Sequence, residues 1–129
     1  MGIRGPVAPL AVALVALALA AGACGPRTID ALPEGVLGVW KTRGARYENR
    51  YLEIRPNVFV LGVGRLEMDK QDIERVEVGR DGEGNDVYHL HYTADGGYPD
   101  TLVLIRFDTA TPALRVGEIP HLWTRVDAR

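Results

Sequence analysis

Two hydrophobic patterns divide the chain. Residues 7–23 are almost entirely Ala, Val and Leu, whereas from Val36 onward apolar residues come in short alternating runs broken by Gly, Pro, Asn and Asp. Period-two alternation marks strands with one buried face. It predicts eight of them, at 37–42, 50–55, 58–63, 73–78, 87–94, 101–108, 113–117 and 121–126. Arg55-Pro56-Asn57, the segment 81–86 and Ala94-Asp95-Gly96-Gly97 supply tight turns between them, through the fixed φ of proline and the tolerance of Asn, Asp and Gly for positive φ. Consecutive hairpins imply antiparallel neighbours. No helix of any length is expected, although residues 67–77 are polar enough to leave one helical turn before Ile73 open.

Parity assigns the faces. Tyr88, Leu90 and Tyr92 should point inward and His89, His91 and Thr93 outward; Leu52 and Ile54 oppose Tyr51, Glu53 and Arg55, and Val76 and Val78 oppose Arg75 and Glu77. Leu102 to Ile105 leave no polar face, which calls for cover on both sides or an interface. Eight short strands with one apolar face most simply close into a small up-and-down antiparallel barrel, which removes unpaired edges. A two-sheet β-sandwich is the alternative.

The first 23 residues have the layout of an export signal: Arg4 near the start, then Leu10 to Ala21 without a charge, too short for the roughly 20 residues of a membrane span. The run ends Leu19-Ala20-Ala21-Gly22-Ala23-Cys24, which resembles a bacterial lipobox. The resemblance implies cleavage before Cys24, a diacylglyceryl group on its sulfur and acylation of the new amino terminus. Gly25 after the cysteine is compatible, in diderm bacteria, with transfer to the outer membrane. The sequence departs from the family pattern in carrying Ala21 where leucine is preferred. An ordinary signal peptide, leaving Cys24 as a free thiol, is the other reading, and an unpaired thiol suits an oxidising compartment poorly. Residues 24–35, rich in Pro and Gly, are expected to be the lipidated cysteine and a flexible tether, and 36–129 the β-barrel domain.

Gly38 and Trp40 on the first expected strand, with Arg125 on the last, are similar to the lipocalin arrangement. There a Gly-x-Trp opens the barrel and an arginine from the final strand packs over the tryptophan. The resemblance rests on these three residues and implies a barrel able to hold a small ligand.

Composition narrows the chemistry. The 129 residues carry a formal charge of −2, so no basic field exists to neutralise nucleic-acid phosphates. The chain has no serine, and its single cysteine is Cys24, so the usual hydroxyl and thiol nucleophiles are missing; a non-enzymatic role and no cofactor are expected. His89 and His91 share a strand face, and with His121 could complete a three-imidazole zinc site, although an exposed outer face is the plainer reading. Asp81, Glu83, Asn85 and Asp86 gather oxygens on a glycine-rich turn without the calcium-loop spacing of an EF-hand. Arg43, Arg46, Tyr47 and Arg50 mix guanidinium groups with an aromatic ring in one connection, the composition of a recognition surface. The expected function is a membrane-anchored binding or interaction module with an unknown protein or small-molecule partner. The alternatives are a carrier of a small hydrophobic ligand and a periplasmic inhibitor of a hydrolase.

Overall fold

Residues 25–126 are described by the computed structural model; the expected signal peptide, the lipobox and Cys24 lie outside them. Ten strands form one antiparallel sheet: β1 (Arg27–Ile29), β2 (Gly38–Thr42), β3 (Arg50–Ile54), β4 (Val58–Val63), β5 (Leu66–Asp72), β6 (Arg75–Arg80), β7 (Asp86–Ala94), β8 (Tyr98–Phe107), β9 (Ala113–Val116) and β10 (Leu122–Val126). The order is β1-β6-β7-β8-β9-β10-β2-β3-β4-β5. Two meanders, β2 to β5 and β6 to β10, are joined by the β10–β2 ladder, in which Arg125 stands opposite Trp40.

All eight expected strands are present, and the expected faces hold. Tyr88, Leu90, Leu52, Ile54 and Val76 are buried in one cluster with Trp40, Phe59, Leu104, Leu114, Val116 and Trp123, and Val78 and Tyr92 pack against it. A single cluster fed by eight strands requires the sheet to curl around it. The rings of Phe59 on β4 and Tyr92 on β7, far apart in strand order, meet edge to face at 5.0 Å. The curl is therefore tight enough to bring opposite walls into contact.

The sheet is nonetheless not closed into a barrel, and two elements that the pattern did not predict explain why. Residues 25–35, expected to be a flexible tether, contain β1, whose Arg27, Thr28 and Ile29 pair with Val78, Glu77 and Val76 of β6. Leu32 and Val36 then enter the core, at 6% and 0% exposure. β6 therefore has β7 on one edge and β1 on the other, and no edge is left for β5. The open edges are β1 and β5. β5 occupies the stretch where a helical turn was left open. It is an exposed strand that carries charge at Glu67, Asp69, Lys70 and Asp72, and the register of its ladder with β4 slips at Leu61/Gly62. Both are devices that discourage further strand pairing.

The run Leu102 to Ile105 is resolved by its neighbours. Leu104 is fully buried and Leu102 packs on the core, while Val103 and Ile105 stand opposite His89 and Val87 and remain half-buried on the outer face. Arg115 stacks its guanidinium 5.8 Å from the ring of Phe107 on that face.

Candidate functional site

One end of the sheet gathers the β2–β3 connection, the β4–β5 hairpin and the β9–β10 connection. After β2 the chain makes a 3₁₀ turn at Ala45–Tyr47, and Asn49 takes a left-handed conformation, φ 66°, that turns the chain into β3. Tyr47 is thereby laid against the start of β10, with its ring 6.0 Å from that of His121 and 6.5 Å from that of Trp123. Arg50 places its guanidinium 5.6 Å from the Tyr47 ring.

Beneath these rings lies a cavity of about 270 Å³ lined by Tyr47, Arg50, Tyr51, Leu61, Gly62, Val63, Met68, Ile119 and Trp123. Gly62 stands directly opposite Tyr51 in the β3–β4 ladder, and a β-carbon there would collide with the tyrosine ring. The absent side chain is what lets Tyr51 lie across the strand. Glycine inside a strand commonly marks such a close approach.

The electrostatics of this cavity are one-sided. Trp123 is 2% exposed, and its Nε1–H is a buried side-chain group without a hydrogen-bond partner among the described residues. An orphaned buried donor costs about 1–3 kcal/mol. The other tryptophan shows the usual solution: Trp40 Nε1 donates to the Val36 carbonyl at 2.9 Å. Arg50 is the one charged group in the lining. The walls thus offer a guanidinium and two phenols and no carboxylate, while the indole N–H is closed off behind them.

Of the four residues expected at a recognition surface, Tyr47 and Arg50 line this cavity, whereas Arg43 and Arg46 are exposed outside its lining. Tyr51, Leu61, Gly62, Val63, Met68, Ile119 and Trp123 were not foreseen. Gly62 amid Val60, Leu61 and Val63 was the available signal.

The histidines lie in two places. His89 and His91 stack at 6.4 Å on the outer face. His91 Nε2 donates to Glu77 at 2.6 Å, and its Nδ1 is 3.1 Å from the Thr101 hydroxyl. His121 is instead against Tyr47 and Gly44. Among the described residues no group of three His, Cys, Asp or Glu side chains is placed to hold a metal. The Glu77–His91–Thr101 line follows from register, because Thr101 stands opposite His91, and His91 opposite Arg75 two residues from Glu77. It borders a more open polar depression lined by Glu74, Arg75, His91, Tyr92, Pro99, Asp100 and Thr101. The His91 hydrogen bond, with the Arg75 charge nearby, holds the Glu77 carboxyl below the ordinary carboxylate range. Burial, and then the Asp100 hydrogen bond, push the Tyr92 phenol up.

At the glycine-rich turn, Asp81 is occupied by the turn itself. Its carboxylate accepts the backbone N–H groups of Glu83 at 2.9 Å and Asn85 at 2.8 Å and the Asn85 side-chain amide at 3.2 Å, which lowers its pKa, the Asn85 backbone bond being the largest cause. That is an Asx turn closing the β6–β7 hairpin.

Gly38, Trp40 and Arg125 do come together. Arg125 places its guanidinium 5.9 Å from the Trp40 ring. Gly38, at φ 124°, leaves its β-carbon position to the Arg125 side chain, whose Cδ lies 3.1 Å from it. No protein-family model, curated protein or solved structure matches this chain.

Proposed function

We propose that this chain is a lipid-anchored envelope protein, held on the membrane through Cys24, whose strand domain binds a small molecule without transforming it. The observation that carries the binding half is the cavity under Tyr47. It is walled by three aromatic rings, carries the guanidinium of Arg50, and is lined in part by Tyr47 and Ile119 from two connections, where binding sites usually sit. The anchor half is supported by the lipobox-like run before Cys24. The outer membrane is the destination that Gly25 favours in a diderm host.

Two experiments test the halves separately. Intact mass of the purified protein should exceed that of the cleaved polypeptide by a diacylglyceryl and an acyl group, and Cys24→Ala should abolish the increment; an unmodified wild type ends the anchor reading. Native mass spectrometry of the full chain should find a co-purified small molecule, lost when Val63→Phe fills the cavity. Val63 is 39% exposed, so the larger ring does not disturb the core. Retention of the same molecule by the filled variant would place binding elsewhere.

A further inference from the structure

We infer that the outer face of β7 and β8, beside the start of β1, lies against the bilayer that holds the anchor. This rests on the Cys24 anchor reading and says which surface of the domain the anchor brings to the lipid. The first ground is where the chain leaves the domain. Val76 and Val78 of β6 pack into the core, so by alternation Gly79 faces outward, and a β-carbon built on it would lie 3.5 Å from the ring of Pro26. Pro26 is exposed, and only Gly25 stands between it and Cys24, a reach of about 7 Å at ~3.3–3.6 Å per residue. A lipid on Cys24 therefore enters the membrane next to the outer face of β6.

The second ground is what that face carries. Gly79 stands opposite Val87, Val87 opposite Ile105, and Ile105 opposite Arg115. Val87, Val103, Ile105 and Phe107 point outward, half-buried, and none of them joins the core cluster. The run Leu102 to Ile105, which has no polar face, then serves the core with one side and the lipid with the other. Arg115 lays its guanidinium 5.8 Å from the Phe107 ring and makes no ion pair among the described residues. An arginine stem on apolar surface with its head free can reach lipid phosphates. Nearby acids are mostly engaged, Glu77 with Arg75 and His91 and Asp86 with Arg80, while Glu83 lies beyond them at the tip of the β6–β7 turn. Further along the same face come His89, His91, Thr93 and Thr101, so the apolar part is the part next to the anchor. With two residues of slack, the bilayer is the apolar medium this surface meets, and a second copy would have to wedge between the domain and its own lipid.

The test uses the processed full chain, methyl-labelled at Ile and Val, in phosphatidylcholine nanodiscs with and without phosphatidylcholine spin-labelled high on its acyl chain. Intact mass of the same sample reports acylation. We expect the spin label to broaden the methyl signals of Val87, Val103 and Ile105 at least threefold more than those of Val39 on β2 and Val63 on β4, which belong to the other meander. Val87→Gln with Ile105→Gln, both at outward positions, should lower the broadening at Val103 while the mass increment stays, with a melting curve to report the fold. An acylated wild type in which Val87, Val103 and Ile105 broaden no more than Val39 and Val63 overturns the docking face and leaves the anchor standing. Two chains per nanodisc by native mass spectrometry, with those three methyls unbroadened, overturns it in favour of a second copy on this face. A wild type without acylation ends both readings.

Discussion

Arg125 lies across the indole of Trp40 and ties the entry of the chain to its end. Its guanidinium is 5.9 Å from the ring, and its Nη1 donates to the carbonyls of Glu34 at 3.3 Å and Leu37 at 3.4 Å. One side chain therefore stacks on the core tryptophan and caps the segment that delivers Val36 to it. Arginine over an aromatic face contributes roughly 0.5–2 kcal/mol depending on desolvation. We expect Arg125→Ala to lower unfolding free energy by about 1–2 kcal/mol in urea titrations. Arg125→Lys should recover less than half, because an ammonium lacks the planar fork. A substitution at Arg125 without effect would show the contact to be incidental.

Gly38 belongs to the same arrangement for two reasons, its positive φ and the Arg125 methylenes in its β-carbon position. Gly38→Ala should cost more than about 1 kcal/mol from backbone strain alone. Because the new methyl would also push Arg125 off Trp40, the double substitution with Arg125→Ala should be less damaging than the sum of the two.

Gly62 and Tyr51 make a second coupled pair, at the cavity. A methyl at Gly62 must displace the tyrosine ring. Overpacking of this kind costs about 1–3 kcal/mol, and Tyr51→Ala in the same chain should restore much of it. The informative readout is the cavity: Gly62→Ala should change the quenching of tryptophan emission by an aromatic probe such as 2-methylnaphthalene more than a stability loss alone would. Equal emission changes in Gly62→Ala and wild type would mean that Tyr51 does not shape the site.

Glu77 gives a pH dependence of defined sign. Its pKa is depressed from 4.5, first by the His91 hydrogen bond, so the unfolded chain binds this proton more readily than the folded one. The stabilisation is complete above pH 4.5 and is lost as pH falls through the lower, folded value. Melting temperatures of wild type and Glu77→Gln should be separated at about pH 6 and converge as the solution is acidified below the ordinary carboxylate range. A gap independent of pH would assign the effect to packing.

How far the sequence carries depends on what each residue touches. Strands with one buried face, such as β7, display their alternation openly, and all eight strands of this kind are legible. β1 and β5 are edges, each with a single hydrogen-bonded neighbour, so little of their surface needs to be apolar. Arg27-Thr28-Ile29 is too short to show a period, and Leu66 and Met68 of β5 are about two-thirds exposed. Barrel closure was the natural inference from eight strands, and it fails because of the short β1, which occupies the free edge of β6. The candidate site was half legible for a related reason. Tyr47 and Arg50 advertise themselves by composition within one connection, whereas Trp123, Ile119 and Met68 reach the cavity only through the curl of the sheet. That Trp123 Nε1 lacks a partner is a property of three-dimensional neighbours alone.

The pairing of β1 with β6 also changes what an anchor at Cys24 would do. Only Gly25 and Pro26 separate that cysteine from Arg27, and at ~3.3–3.6 Å per residue they span about 10 Å at most. A lipid on Cys24 therefore holds the β6 side of the domain close to the bilayer, where an eleven-residue flexible spacer would have let the domain swing free. Arg27 stands opposite Val78, and Val78 opposite Tyr88, whereas Ala94 lies six residues further along β7, roughly 20 Å away at the ordinary strand rise. We expect a fluorophore on Arg80→Cys to be quenched strongly by headgroup-labelled lipid, and one on Asp95→Cys weakly. Inserting a long Gly-Ser segment after Gly25 should reduce the first signal toward the second. Equal weak quenching at both positions in the uninterrupted chain would mean that β1 does not hold the domain against the membrane.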